Sequence, residues 1–332
     1  MSCSGDAVSA GVTPSGALAV LVVYYLSSDD DLPILDLHLD RIQRHTHVPF
    51  QVYAAANRVT PAVRARLADR AWLQVCEIEP TDLRGSREHA FYLDALMARA
   101  RADGADRIAT FDVDSFPIDD RWLDVVGDAA AIASGVAGIL RVENGDTVLP
   151  HPSGFLVHVD FLDRYAPSFS PDSDRTPEFR RFLHSTGQAG DTGLGFAYAL
   201  WSNGLEWGRL VRSNAVDVHP IIAGIYADSV FHLAGVASGS IFRRDLAGSR
   251  IHRVTGPLER VPVTGALGRV KRSVLGRVRA PAERAIVERN RVVFGRARAA
   301  LLADSDAFVA YLRGTDHASF GAEELNAREI EE

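Results

Sequence analysis

The first part of the chain alternates between short apolar runs and longer segments with helical spacing. Runs rich in Val, Ala, Leu and aromatic residues, bounded by polar turns, are typical of buried strands. Between the runs, apolar residues recur every three or four positions, as at Leu35, Leu39 and Ile42, which predicts amphipathic helices. Strands are predicted at residues 18–25, 49–57, 72–78 and 106–112, with intervening helices that begin near Pro33, Thr60 and Gly85.

Strands that alternate with helices favour a mostly parallel, Rossmann-like sheet flanked by helices, because parallel neighbours need crossover connections. The third helix is expected to end at Gly104, since glycine suits the left-handed position that closes a helix. After residue 130 the strands follow one another without long helices, so we expect mixed pairing in the second half of this α/β fold and a helical appendage after it. The elements predicted there are strands at 131–136, 138–142 and 154–159, a loop at 166–178, and helices at 191–204 and 282–311.

The composition is that of a folded globular protein and limits its partners. Of the 332 residues, 47% are hydrophobic and 24% are charged, so a packed core is expected. The formal net charge of −7 argues against nonspecific attraction of the protein as a whole to nucleic acid or to an anionic membrane. All basic residues except Lys271 are arginine, a bias in which we see no functional signal.

Cysteine usage and hydropathy bear on location. The two cysteines, Cys3 and Cys76, cannot build a disulfide framework or a thiolate zinc site, which favours a reducing, cytoplasmic setting. The apolar run at residues 18–26 is too short for a bilayer span, which takes about 20 residues. The sequence shows no clear signal peptide or membrane anchor.

Two carboxylates, Asp112 and Asp114, lie at the carboxyl end of the fourth predicted strand, the edge where open parallel sheets bind ligands. Carboxylates separated by one residue can both reach one hard cation, and Mg²⁺ or Mn²⁺ commonly keeps positions for phosphate oxygens. Such a cation assists the departure of a diphosphate group. A solvated turn is the alternative interpretation, but the strand before the pair and Pro117 after it favour a metal site.

The stretches Gly85–Met97 and Ile108–Pro117 resemble the GT-A glycosyltransferases, in particular family 2-like members. In those enzymes a glycine-rich entry leads a helix past the nucleotide, and a strand then ends in an Asp-x-Asp motif. The likeness covers residues 18–240 and is strongest at 85–123. It implies a GT-A fold and a metal-dependent enzyme that moves a sugar from a nucleotide-diphosphate sugar, by default a UDP-sugar, to a hydroxyl-bearing acceptor.

The resemblance also implies roles for individual residues. Asp114 would bind Mn²⁺ or Mg²⁺ directly, Asp112 would contact the ribose or a metal-bound water, and His232 would complete the metal site. His232 is also open to interpretation as a core histidine, and the segment around Ser153 as a plain turn. The expected contacts to the nucleotide-sugar are Tyr24, Tyr25, Asp29, Gly85, Arg87, His89, Asp112 and Ser153.

Asp191 stands at the start of a predicted helix, where inverting members of the resembled family place a carboxylate base near the acceptor. Such a base takes the proton of the acceptor hydroxyl as the glycosidic bond forms. The alternative is that Asp191 is the N-cap of the helix, a role for which aspartate is strongly preferred. Retention or inversion of configuration stays open at this point.

Residues 269–298 hold ten basic residues against Glu283 and Glu288. This charge could bind the donor diphosphate, an acidic acceptor or a membrane surface. We favour a solvated helix face that offsets the acidic body of the protein.

Two other functions compete with glycosyl transfer. A haloacid dehalogenase-like phosphatase also has an Asp-x-Asp motif after a strand, but that strand is the first of its fold, whereas Asp112 comes after three strands. Such a phosphatase also needs a lysine, and Lys271, the only lysine of this chain, lies in the basic segment. A non-catalytic relative that binds a nucleotide-sugar is the second. Such a relative and an enzyme differ in whether a nucleotide-sugar is consumed.

The domain organisation follows from these interpretations. We expect a disordered tail at 1–16, a catalytic domain at 17–245 and a helical extension at 246–332. Within the domain, residues 17–125 form the nucleotide-binding half and 126–245 the acceptor half. The expected partners are a nucleotide-sugar donor and a small-molecule, glycan or glycolipid acceptor; the oligomeric state is open.

Overall fold

The computed structural model describes residues 18–172, 175–234, 242–260 and 265–315. The tail at 1–16 and the end of the helical extension, 316–332, lie outside the described residues. The strands are β1 (Leu18–Tyr24), β2 (Phe50–Ala56), β3 (Leu73–Val75), β4 (Arg107–Phe111), β5 (Ser115–Pro117), β6 (Val136–Ile139), β7 (His151–His158), β8 (Gly208–Leu210), β9 (Gly224–Tyr226) and β10 (Val230–His232). The helices are α1 (Leu32–His45), α2 (Pro61–Ala68), α3 (Ser86–Ala102), α4 (Trp122–Ile132), α5 (Val159–Tyr165), α6 (Pro177–Thr186), α7 (Leu194–Ser202), α8 (Arg243–Gly248), α9 (Arg250–Arg260), α10 (Gly265–Ala303) and α11 (Ser305–Leu312).

The main sheet has the strand order β3-β2-β1-β4-β7-β6-β8. β1 pairs in parallel with β2 and β4, β2 pairs in parallel with β3, and β6 pairs in parallel with β8. β7 runs antiparallel to both of its neighbours, β4 and β6. The predicted class, an α/β fold with a mostly parallel sheet, flanking helices and a mixed second half, is confirmed.

β1 is buried along its whole length, and its successive side chains pack on opposite faces of the sheet, as the two-residue period of a strand requires. Leu18, Val20, Val22 and Tyr24 pack on the side of α1, and Ala19, Leu21 and Val23 pack on the side of α3. Tyr24, the last residue of the strand, therefore points into the core below α1. Its ring meets the ring of His38 edge-on, with centroids 5.6 Å apart.

A small antiparallel sheet, in the order β5-β10-β9, lies next to the main one. β10 pairs with β5 so that His232 lies opposite Ser115 and Phe231 lies opposite Phe116. The two phenylalanine rings stack with centroids 5.2 Å apart and belong to a core cluster that also contains Phe308 of α11. The C-terminal helices thus help to hold β10 in place.

The prediction of a strand at residues 131–136 is wrong. α4 continues to Ile132, and β6 begins only at Val136. Alanine-rich residues 129–131 extend the helix, because alanine has the highest helix propensity, and a short apolar run does not by itself distinguish a helix from a strand. The strands predicted at 138–142 and 154–159 overlap β6 and β7 with shifted boundaries.

Two predicted helices differ in extent. The helix predicted at 191–204 begins at Leu194 as α7, and the helix predicted at 282–311 consists of α10 and α11. Asp304 separates these two, because its side chain accepts a hydrogen bond from the amide of Ala307 (3.0 Å) and caps α11. The expected end of α3 is confirmed, since Gly104 follows the helix with a φ of +86°.

The close approach of β8 to α4 can be tested at Gly208. A Cβ atom at this position would lie 2.4 Å from the carbonyl oxygen of Ala129. Gly208→Ala is therefore expected to lower the free energy of unfolding by about 1–3 kcal/mol, because backbone atoms cannot rotate away. Denaturant titration followed by circular dichroism measures the change.

The matched control is Gly127→Ala on α4, where a Cβ meets open space. Here the free energy of unfolding is expected to rise by about 0.5–1 kcal/mol, because alanine is the better helix former. A Gly208→Ala protein as stable as the wild type would contradict the described packing of β8 on α4.

Candidate functional site

A cleft of about 620 Å³ opens at the carboxyl ends of β1, β2 and β4. Tyr25 follows β1, Asn57 follows β2 and Asp112 follows β4, so three parallel strands deliver polar side chains to one edge of the sheet. The start of α3 also lines the cleft, and segments from the second half of the chain complete it. The lining residues are Val23, Tyr25, Asn57, Arg58, Arg84, Gly85, Ser86, Glu88, His89, Asp112, Val113, Asp114, Arg141, Asn144, His151, Asp191, Thr192, Ile221, His232, Ala234 and Phe242.

Asp112, Asp114 and His232 each place one potential ligand atom within 4.8 Å of the others. The turn between β4 and β5 carries both carboxylates, and the amide of Asp112 closes it by donating to Oγ of Ser115 (2.8 Å). β10 carries the imidazole, since its register places His232 opposite Ser115. Nε2 of His232 lies 3.7 Å from Oδ1 of Asp114. The three residues predicted to hold a metal are therefore close together.

The chemistry of this group suits a divalent cation. Burial lowers the pKa of His232 to about 3, and the charges of Arg141 and Arg212 act in the same direction, so the ring is neutral and keeps a lone pair. Its Nδ1 is buried and has no hydrogen-bond partner within the described part of the chain. Two carboxylates with one imidazole suit Mn²⁺, and the carboxylate oxygens also suit Mg²⁺.

The electrostatics of Asp112 point the same way. Burial raises the pKa of its carboxyl to about 7; the charge of Arg141 opposes this rise and that of Asp191 adds to it. Nε2 of His89 lies 3.5 Å from Oδ1 of Asp112, and partial burial lowers the pKa of His89 to about 4 against the opposing charge of Asp191. Because His89 is neutral at pH 7, it does not balance the carboxylates, and a bound cation would.

Asp191 also lines the cleft and forms an ion pair with Arg141. Its Oδ2 accepts a hydrogen bond from Arg141 (2.9 Å), and its Oδ1 accepts from the hydroxyl of Ser86 (2.8 Å) and the amide of Thr192 (2.8 Å). Burial disfavours the ionised carboxyl, but the charge of Arg141 and these hydrogen bonds outweigh burial and lower the pKa of Asp191. Asp191 is therefore an ionised carboxylate at neutral pH.

The N-cap interpretation of Asp191 is wrong. α7 begins at Leu194, and its N-cap residue is Gly193, with a φ of +97°. A side chain at Gly193 would also bring its Cβ within 2.8 Å of the carbonyl oxygen of Pro150. The glycine therefore starts the helix without a side-chain cap, and Asp191 is left to interact with Arg141.

The predicted nucleotide contacts divide into two groups. Tyr25, Gly85, His89 and Asp112 line the cleft. The other four do not line it: Tyr24 is in the core, Asp29 accepts a hydrogen bond from Thr60 (2.5 Å), Arg87 pairs with Asp172, and Ser153 is buried beside His151. A nucleotide contact of these four residues stays a prediction.

The sequence analysis missed several lining residues. Arg141 follows β6, and it donates to Asp146 (2.8 Å) as well as to Asp191. Only the antiparallel pairing of β6 with β7 brings it to the cleft, so local patterns do not reveal it. Asn57 ends the second predicted strand and Arg58 follows it, so the rule that located Asp112 at a strand end could have found them.

A second cavity, of about 660 Å³, adjoins the cleft beyond the ends of β2 and β3. The two spaces share Asn57, Arg58, Arg84 and Glu88. Glu88 accepts hydrogen bonds from Asn57 (3.0 Å) and from Arg58, and the guanidinium of Arg58 lies 5.0 Å from the centre of the Tyr25 ring. These side chains therefore form a partition between the two spaces.

Among the described residues, we find no helix whose length and hydropathy would let it cross a membrane. No family model and no curated protein matches the chain. Solved structures do match it, and eight of them have sequence identities of 10–16% to this chain.

Residues 1–349 of TarS from S. aureus, in complex with UDP-GlcNAc, match with 10% identity and a TM-score of 0.42, covering 92% of this chain and 94% of that one. A longer TarS structure matches with 13% identity and a TM-score of 0.33, and there the match spans 46% of this chain and only 30% of that chain.

The mannosyltransferase PcManGT from Pyrobaculum calidifontis, in complex with GDP-Man and Mn²⁺, matches with 13% identity and a TM-score of 0.38, covering 91% of this chain and 85% of that one. A mutant Drosophila β-1,4-galactosyltransferase 7 with manganese, UDP-Gal and xylobiose matches with 16% identity and a TM-score of 0.34, covering 66% and 71%. At TM-scores below 0.5 these likenesses do not identify a function, which has to come from the residues of the site.

Proposed function

We propose that this protein is a metal-dependent glycosyltransferase that uses a nucleotide-diphosphate sugar, with a UDP-sugar as the default donor and a hydroxyl group as the acceptor. The observation that carries the proposal is the group formed by Asp112, Asp114 and His232 in a cleft at the carboxyl ends of parallel strands. The resemblance of residues 85–117 to GT-A enzymes supports it. A divalent cation held by such a group can stabilise the negative charge of a departing diphosphate.

In this proposal Asp112, Asp114 and His232 hold Mn²⁺ or Mg²⁺. The cation, when bound, neutralises the diphosphate that leaves as the glycosidic bond forms. Tyr25, Gly85 and His89 line the part of the cleft assigned to the nucleotide.

Asp191 is proposed as the base of an inverting mechanism. The oxygen of the acceptor hydroxyl would bond to the anomeric carbon, the bond from that carbon to the donor phosphate would break, and the hydroxyl proton would pass to Asp191. The position of Asp191 in the cleft and its ionised state support this role. Its ion pair with Arg141 favours the alternative, in which Asp191 positions Arg141 and a different group takes the proton.

The metal site is tested with Asp114→Asn, which keeps the shape of the side chain and removes its charge. Asn is preferred to Ala because Asp114 is only 5% exposed. Isothermal titration calorimetry of UDP and GDP should show affinity that depends on Mn²⁺ in the wild type. In the variant that affinity should fall by about 10–100-fold or more, since even the outer-shell partners of metal ligands contribute that much.

The matched control is Asp128→Asn, which removes the charge of an exposed carboxylate on α4 and should bind like the wild type. Slow consumption of a UDP- or GDP-sugar with Mn²⁺, stopped by EDTA and by Asp114→Asn, is expected of an enzyme. Metal-dependent binding without consumption would instead indicate a non-catalytic relative. Equal affinity in Asp114→Asn and the wild type would overturn the metal assignment.

The role of Asp191 is tested by comparing Asp191→Asn with Asp146→Asn. Each change removes one ion pair from Arg141, but Asp191 lines the cleft and Asp146 is buried behind it. General-base assistance contributes about 10²–10⁴-fold to a rate. If Asp191 is the base, Asp191→Asn should lose transfer by that factor while it binds donor and metal normally, and Asp146→Asn should stay within a few-fold of the wild type.

Equal losses in the two variants would show that both carboxylates act by holding Arg141. Near-normal transfer in Asp191→Asn would remove the base assignment altogether. Thermal melting of both variants identifies any loss that comes from unfolding.

A further inference from the structure

The first half of α10 carries an exposed apolar stripe. Leu267, Val270, Val274 and Val278 are 73%, 58%, 52% and 48% exposed, and their spacing of three or four residues places them on one side of the helix. The second half of α10 is different, since Val293, Ala297 and Leu301 are buried in the core cluster beside α11. The sequence analysis favoured a solvated helix face for the basic segment 269–298. A solvated face would carry polar residues at its exposed positions, so the apolar stripe argues against that interpretation for the first half of α10.

α9 packs against the first half of α10 in antiparallel orientation. His252 of α9 lies 3.0 Å from Glu283 of α10, and Arg279 of α10 donates to the hydroxyl of Thr255 of α9 (2.7 Å). The residue numbers increase along α9 while those of the contacted residues on α10 decrease, as in antiparallel helices. α9 has exposed apolar residues of its own, Val254 at 73% and Leu258 at 52%.

The two stripes emerge on the same side of this helix pair. Val254 directly precedes Thr255, and Val278 directly precedes Arg279, so each stripe lies about 100° around its helix from the residue that faces the other helix. Two antiparallel helices are related by a two-fold axis that is perpendicular to the plane containing both helices. Rotation about this axis exchanges the helices and keeps each stripe on the same side of that plane. The pair therefore presents one apolar face made of α9 and α10 together, which we call the hairpin face.

Basic residues border the hairpin face. Arg250 and Arg277 are exposed, and Lys271 is partly exposed beside the stripe. Residues 250–279 contain eight Arg and Lys residues and one acidic residue, Glu259, although the whole chain has a formal charge of −7. An apolar face with cationic margins is the pattern of helices that lie in the plane of an anionic membrane surface.

We propose that the hairpin face binds the surface of a membrane that contains anionic lipids. The apolar side chains would enter the region between headgroups and acyl chains, and the arginines would meet the lipid phosphates. A second copy of this chain fits less well, because face-to-face pairing would bring basic margins together. This inference does not depend on the proposed transfer activity.

Flotation of the full chain with lipid vesicles tests the proposal. At low salt, vesicles that contain phosphatidylglycerol should carry the protein upward, and pure phosphatidylcholine vesicles should carry much less of it. Added NaCl should release the protein from the anionic vesicles, because salt screens exposed charges. Replacing Leu267, Val274 and Val278 together by Gln should lower the partition coefficient by about tenfold or more. Replacing Arg250 and Arg277 by Gln should lower it by roughly fivefold per residue on anionic vesicles.

The matched control is Ile132→Gln on α4, where an apolar side chain that is 88% exposed lies outside the hairpin face and should not affect flotation. Circular dichroism shows whether each variant keeps its helices. Wild-type protein that does not float, or a triple-Gln variant that is folded and floats equally well, would overturn the proposal. A dimer in sedimentation velocity that the triple-Gln variant loses, without flotation of the wild type, would assign the hairpin face to a second copy.

Discussion

The pairing of β10 with β5 is the constraint on which the candidate site depends. β5 begins one residue after Asp114, and the register places His232 opposite Ser115, so the imidazole reaches the carboxylates from a distant part of the sequence. The amide of Leu233 donates to the carbonyl of Asp114 (2.8 Å) and continues the same pairing past the end of the strand. A shift of one residue in this register would turn His232 to the other face of the small sheet, since side chains alternate along a strand.

Charge in the cleft is arranged by burial and by one arginine. Asp112, Asp114 and Asp191 line the same space, while the neighbouring His89 and His232 are neutral because burial lowers their pKa values. Arg141 pairs with Asp191 and Asp146, and its charge also lowers the pKa values of Asp112 and His232. The cleft thus has a side suited to a cation and a side where a carboxylate is already paired. The first side offers the carboxylate oxygens and the imidazole nitrogen that divalent cations take as ligands.

The sequence predicts those elements and site residues whose positions are determined by their neighbours along the chain. The Asp112–Asp114 pair was found because it directly follows an apolar strand, and the parallel half of the sheet follows from strands that alternate with helices. Of the two tyrosines predicted near the nucleotide, Tyr24 is turned into the core by the alternation along β1, and Tyr25 lines the cleft. Arg141 was missed because antiparallel pairing in the second half decides its position. His232 was included only through the resemblance to a family, because no local feature connects β10 with β4.

The packing of Phe231 near Phe308 has a consequence for how the protein matures. The strand that carries the imidazole rests on α11, and the amides of Ala215 and Val216 donate to the carbonyl of Leu312 in the same helix. During synthesis on a ribosome the two carboxylates emerge long before the histidine, and the histidine emerges before the helix that supports it. A nascent chain therefore presents the strands that line the cleft early, and it can hold His232 beside Asp112 and Asp114 on a complete support only after α11 has been made.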